Sequence, residues 1–222
     1  MSDYLLVHGG FGGGWEWNEV AERLTKAGHR VRVVDQLPSA GTDPGSLGDL
    51  SADADCVRRG LEKVDEPVVL VGHSYGGMVI TELADHPKVH HSVYLTALWP
   101  QRGQSALTLM GDVFPISFVQ RDDGTLQITD DFELAWAAFC DDVDQDSAQR
   151  MLSRFVLQSA SSATAPSTAP DRTHPTTYMI AAEETDASVA AAANADFVVR
   201  LPAAHMVQLS RPDESAEALG RI

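Results

Sequence analysis

The chain has few cysteines, few basic side chains and no long apolar run. Its 222 residues include two cysteines, Cys56 and Cys140, which are far apart and form no C-x-x-C pattern. The sequence therefore predicts neither a disulfide framework nor a metal site. Lysine and arginine number 16 against 32 aspartates and glutamates, a formal net charge of −16 at pH 7. Because such a charge repels nucleic acid and anionic membranes, we expect neither as a partner.

Apolar residues are nevertheless plentiful at 44%, which is enough to build a globular core. No run approaches the 18 apolar residues of a membrane-spanning helix, and no leader pattern precedes the first predicted strand. We expect a cytoplasmic protein, either a monomer or a homodimer.

Residues 68–78, VVLVGHSYGGM, are the most informative segment. An apolar β-branched run predicts a buried parallel strand, and the apolar spacing from Met78 onward predicts a helix. Between them lies G-x-S-x-G. In this context the pattern is a nucleophile elbow, in which flanking glycines let the backbone pass a strained serine. Ser74 is thus the predicted nucleophile.

A nucleophilic serine needs a base, and His205 is the histidine whose position fits. It follows an apolar strand predicted at 196–201, at the end where parallel sheets gather reactive groups. The acid should follow the preceding strand, predicted at 176–182. Glu184 is our first choice for it and Asp186 the alternative, since a carboxylate there would orient the imidazole.

A glycine-rich loop follows the first strand, which is predicted at about 3–8. Acyl transfer needs N–H donors aimed at the developing oxyanion. We expect one from the backbone of Tyr75 and one from Gly10, with Phe11 as the alternative to Gly10. The loop does not fit a dinucleotide fingerprint, because Trp15 occupies the position of the last required glycine.

Together these residues resemble the α/β-hydrolases, and in particular the small branch that includes plant methylesterases, hydroxynitrile lyases and bacterial carboxylesterases. The resemblance runs nearly from end to end of the chain. It rests on the segments VHGGFGGGWEW, GHSYGG, FCDDVDQDSAQRML, TTYMIAAEE and HMVQLSRPDESAEAL. It implies Ser74 as nucleophile, His205 as base, and Gly10 with Tyr75 as oxyanion donors. The chain departs from the family at the acid, where Glu184 stands in place of the usual aspartate.

Single positions separate the sibling chemistries of this family. Ser74 excludes the mechanism of relatives that use an elbow aspartate. Hydroxynitrile lyases of this branch carry threonine and lysine where this chain has Gly9 and Met206. The resemblance therefore implies a serine esterase without a cofactor, which cleaves a small-molecule carboxylic ester, lactone or thioester through an acyl-enzyme.

The predicted architecture is α/β, a mostly parallel six-stranded sheet with helices on both faces. Residues 1–98 and 175–222 form the predicted core domain, and residues 99–174 an inserted cap. We expect the cap to supply much of the substrate pocket. The candidate pocket residues are Phe11, Trp99, Phe114, Phe118, Trp136 and Met206. Residues 158–170, a low-complexity stretch, are predicted to be an exposed connection.

Two other function classes were weighed. A catalytically idle hydrolase that binds a small molecule would keep the same fold and pocket, since fold does not fix function. A nicotinamide oxidoreductase would need a catalytic Tyr-x-x-x-Lys, and this chain has none.

Overall fold

The computed structural model describes residues 1–181 and 191–222. Its strands, in chain order, are β1 (Asp3–Val7), β2 (Arg30–Val33), β3 (Ala40–Gly41), β4 (Val68–His73), β5 (Val89–Leu95), β6 (Phe118–Gln120), β7 (Thr125–Ile128), β8 (Leu157–Ser159), β9 (Thr176–Ala181) and β10 (Phe197–Leu201). Six of them form one parallel sheet in the order β10-β9-β5-β4-β1-β2. The predicted fold class is confirmed.

The α-helices of the described residues are α1 (Asn18–Lys26), α2 (Leu50–Glu62), α3 (Gly76–Thr81), α4 (Ala106–Leu109), α5 (Phe132–Phe139), α6 (Gln145–Leu152), α7 (Ala160–Thr164), α8 (Val207–Ser210) and α9 (Pro212–Leu219). Several begin where a side chain accepts a hydrogen bond from an N–H of the first turn. Asp49, Asp131 and Asp144 do this for α2, α5 and α6. Within the described residues, no helix is long and apolar enough to cross a membrane.

The central strand β4 is buried along its whole length. Its side chains alternate between two apolar cores, with Val68 and Leu70 on one face and Val69 and Val71 on the other. A strand covered on both faces has to be apolar throughout, which is why this segment reads as an unbroken hydrophobic run. The arrangement leaves Ser74 at the carboxyl end of a fully buried strand.

Residues 99–174, which we call the cap segment, contain most of a second sheet. This sheet is antiparallel in the order β3-β8-β7-β6. Within it β6 and β7 pair as an antiparallel hairpin. The prediction that residues 158–170 form an exposed connection was wrong. They contain the end of β8 and all of α7, and Gln158 is only 3% exposed. The division into core and cap domains stays a prediction.

Candidate active site

Ser74 lies on a sharp turn between β4 and α3. Its φ of 51° is in the left-handed region, which a residue with a Cβ rarely adopts. The two glycines of the motif are required by close packing. A Cβ on Gly72 would lie 2.6 Å from the carbonyl oxygen of Gly76, and a Cβ on Gly76 would lie 2.7 Å from the carbonyl oxygen of His8. The G-x-S-x-G pattern is thus the sequence that this tight turn allows.

His205 reaches the serine from the loop after β10. Its Nε2 lies 2.9 Å from Ser74 Oγ, so the hydroxyl can donate its proton to the ring. The backbone carbonyl of His205 accepts two hydrogen bonds, from His73 Nε2 at 3.1 Å and from Thr96 Oγ1 at 3.0 Å. The backbone of the loop is therefore held by residues at the ends of β4 and β5.

The cap segment holds the same loop from its other side. Met206 N–H donates to the carbonyl of Phe139 at 3.0 Å, and Ala204 N–H donates to Asp142 Oδ2 at 3.1 Å. Asp142 was not singled out in the sequence, since nothing local distinguishes it from the neighbouring acidic residues. The two predicted acids, Glu184 and Asp186, lie outside the described residues.

The glycine-rich loop after β1 brings Gly10 beside Tyr75 at one wall of a cavity. The neighbouring N–H of Phe11 donates to Gln158 Oε1 at 3.1 Å, so it already has a partner. Within the described chain, the N–H groups of Gly10 and Tyr75 donate to no residue. Of the two predicted alternatives, Gly10 therefore has the N–H that is available to a ligand.

The cavity has a volume of about 710 Å³ and opens onto Ser74 and His205. Three of the predicted pocket residues, Phe11, Trp99 and Phe118, line it. The other three are not among the lining residues. Phe114 packs against the core, Trp136 donates its Nε1–H to Val143 and stacks on Phe132, and Met206 is 2% exposed beneath the His205 loop.

Gln158 and Asp53 belong to a buried polar network at the wall of this cavity, which sequence reasoning missed. Gln158 Nε2 donates to Ser39 Oγ and Ser162 Oγ, while its Oε1 accepts from Phe11. Asp53 accepts from the Ser39 N–H at 2.8 Å and from the Tyr75 hydroxyl at 2.7 Å. The signal available in the sequence was that Asp53 is a charged residue on the apolar face of the amphipathic helix α2.

Burial raises the pKa of Asp53 to about 6 from its usual 3.8, although the hydrogen bonds from Ser39 and Tyr75 oppose the shift. The folded protein therefore binds this proton more tightly than the unfolded chain does. The contribution of Asp53 to the free energy of unfolding is fully present below about pH 3.8 and is lost as the pH rises to about 6.

Replacing Asp53 with asparagine should remove this pH dependence. We expect the variant to be more stable than the wild type above pH 6, by on the order of 2 to 3 kcal/mol, and to lose that advantage near pH 4. Urea unfolding at pH 4, 6 and 8 would measure the difference. Asp55→Asn, an exposed change on the same helix, is the matched control. A stability difference that is the same at all three pH values would contradict the prediction.

Comparisons with known proteins match the chain to one family and one fold. A model described as the alpha/beta hydrolase family matches residues 4–218. The carbendazim hydrolyzing esterase of Nocardioides sp. (strain SG-4G) is 39% identical over 128 residues, 52% of this chain and 50% of that protein. Polyneuridine aldehyde esterase of Rauvolfia serpentina is 36% identical over 109 residues, 46% of this chain and 41% of that protein. The matched part of the chain thus covers half or less of the length of each of these curated relatives.

Among solved structures, a pyrethroid hydrolase from Sphingobium faniae JZ-2 superposes with a TM-score of 0.81. The superposition covers 99% of this chain and 96% of that one, at 24% sequence identity. At this identity the likeness shows the fold alone.

Proposed function

Because the chain belongs to the α/β-hydrolase family, as its sequence predicted, we propose that it is a serine hydrolase that cleaves a carboxylic ester of a small molecule. The observation that carries the proposal is the 2.9 Å contact of His205 Nε2 with Ser74 Oγ on a strained elbow. The curated relatives named as esterases agree with it.

In the proposed mechanism, Ser74 Oγ attacks the ester carbonyl while His205 Nε2 takes its proton. The carbonyl oxygen becomes an oxyanion, which the N–H groups of Gly10 and Tyr75 stabilise. The imidazolium then protonates the leaving alcohol, and an acyl group remains on Ser74. Water then attacks the acyl carbon while His205 takes one of its protons, and His205 passes that proton to Ser74 Oγ as the acid is released.

Two experiments on the purified protein test this function. A fluorophosphonate probe should label Ser74, and peptide mass spectrometry would identify the modified residue. A series of p-nitrophenyl esters of increasing acyl length should then be hydrolysed, with a length dependence set by the cavity. If there is neither labelling nor turnover, the chain is a hydrolase fold without this activity, and the idle binding protein becomes the better description.

The lining of the cavity predicts a preference for uncharged acyl groups. In residues 1–181 and 191–222, no lysine or arginine lines it, whereas the acidic residue Asp141 does. An anionic acyl group would leave water for an apolar wall without gaining a partner, which is costly. We expect kcat/KM for p-nitrophenyl butyrate to exceed kcat/KM for p-nitrophenyl hemisuccinate, an ester of similar size, by at least about tenfold, ~1.4 kcal/mol.

Asp141→Asn should raise kcat/KM for the hemisuccinate and so reduce the ratio of kcat/KM between the two esters. Asp146→Asn, an exposed change on α6, is the matched control and should leave the ratio unchanged. Equal kcat/KM values for the two esters in the wild type would contradict the predicted preference.

A further inference from the structure

A buried polar cluster lies beneath the proposed active site and takes no part in the proton transfers described above. It consists of Glu16, His73 and Gln208, which we call the Glu16 cluster. The side chains of Glu16 and His73 are each 1% exposed, and Gln208 is fully buried. Burying a carboxylate is costly unless its charge and hydrogen bonds are matched. The partners of this carboxylate therefore indicate what it does.

One oxygen of Glu16, Oε2, is near three nitrogens. His73 Nδ1 lies at 3.1 Å, Gln208 Nε2 at 3.1 Å and the Gly9 backbone N–H at 3.3 Å. Gly9 immediately precedes Gly10 in the glycine-rich loop. The carboxylate thus ties that loop to the elbow residue His73 and to α8, which follows the His205 loop.

The contacts of His73 fix the position of its ring. Its Nε2 faces the backbone carbonyl of His205 at 3.1 Å, and a carbonyl oxygen can only accept, so Nε2 must carry a proton. Its Nδ1 faces the Glu16 carboxylate, which also accepts. Nδ1 also lies 3.1 Å from Gln208 Nε2, so the carboxylate and the amide together hold this side of the ring.

The surroundings of Glu16 favour the ionised form. Burial alone would raise its pKa, but the hydrogen bond and charge of His73, with smaller contributions from His8 and the Gly9 N–H, hold the pKa below its usual value. His8 is the other titratable side chain in contact with this loop. Its Nε2 accepts from the Leu37 N–H, and burial lowers its pKa, which favours the neutral ring.

We propose that Glu16 is a positioning residue for the base of the proposed hydrolase: its buried carboxylate holds the His73 ring against the His205 carbonyl, and it holds the Gly10 loop through the Gly9 N–H. The inference rests on the proposed function. Base and oxyanion donor are then fixed to one internal anion, which keeps their separation constant as an ester approaches Ser74.

A neutral amide in place of this carboxylate cannot satisfy the same contacts. An amide oxygen facing His73 would remain an acceptor but would lose the charge that strengthens its hydrogen bonds. An amide nitrogen facing His73 would oppose the N–H groups of Gly9 and Gln208. Each arrangement weakens or breaks hydrogen bonds that position the site.

Glu16→Gln should therefore lower kcat for p-nitrophenyl butyrate by about tenfold to a hundredfold with little change in KM, as expected for a misplaced catalytic group. The loss should be partial, because Thr96 also donates to the His205 carbonyl. Gly12→Ala offers an independent test, since its Cβ would lie 1.6 Å from Glu16 Oε1 and displace the unchanged carboxylate. Glu22→Gln, an exposed change on α1, is the control.

His73→Gln tests whether Glu16 affects kcat through its contact with His73. If Glu16 acts through His73, the double variant should lose less than the product of the two single losses. Glu16→Gln with a wild-type kcat, a loss confined to KM, or an equal loss in Glu22→Gln would overturn the proposal. Circular dichroism and urea unfolding of each variant would separate lost activity from lost folding.

A measurement on the wild type keeps the test independent of variant folding. Nitrogen NMR of protein labelled in its histidines should show Nε2 of His73 protonated, as its contact with the His205 carbonyl requires, with His73→Gln identifying the signal. An unprotonated Nε2 would overturn the proposal. Failure of the proposed function is seen separately, as a wild-type protein that neither reacts with fluorophosphonate nor hydrolyses esters.

Discussion

Replacing Ser74 with alanine is expected to lower kcat by on the order of 10⁴ to 10⁶ for any ester that the protein hydrolyses. The change removes the only atom that the proposed mechanism bonds to substrate, while the oxyanion donors and the cavity remain. Alanine keeps the Cβ, so the backbone strain at a φ of 51° is nearly the same in the variant. We therefore expect the fold to persist. Single-turnover and steady-state kinetics on one ester, with fluorophosphonate labelling, would measure the loss.

Ser153→Ala, an exposed change in the cap segment, is the matched control and should retain full activity. Ester hydrolysis that continues unchanged in Ser74→Ala would remove the nucleophile from the proposal. It would also mean that the contact of His205 with Ser74 serves structure alone.

The second large effect is expected at the acid of the triad. Glu184→Gln should lower kcat by on the order of 10² to 10⁴, because an amide supplies no charge to support the imidazolium that forms on His205. Asp186→Asn should then be nearly silent. Both residues lie outside the described part of the chain, so the assignment stays a prediction from the sequence.

The reverse pattern would transfer the role to Asp186. If neither change affects turnover while Ser74→Ala does, the site works as a dyad or takes its carboxylate from another element. Asp142→Asn belongs in the same series, since Asp142 accepts from the Ala204 N–H one residue before His205. We expect it to shift the loop modestly, with a smaller loss than Glu184→Gln, because its described contact is with the backbone.

Local patterns were sufficient to predict the fold class and the family, and both are confirmed. A strand buried on both faces has to be apolar, and a turn this tight has to carry glycines, so β4 and the elbow each have a signature within about ten residues. The roles of Ser74 and His205 stay predictions, although the fold brings the two side chains to 2.9 Å.

The hydrogen bonds that hold the site residues in place were decided by the tertiary structure alone. Gln158 bonds to Phe11 across 147 residues of sequence, and Gln208 bonds to Glu16 across 192. No pattern in a single sequence encodes such pairs, because the free energy that favours them arises only once both groups are buried and have lost water. The sequence by itself determined the strands of the parallel sheet, the strained turn and the residue types at their ends. The packing of distant segments decided which buried polar groups hold those residues in place.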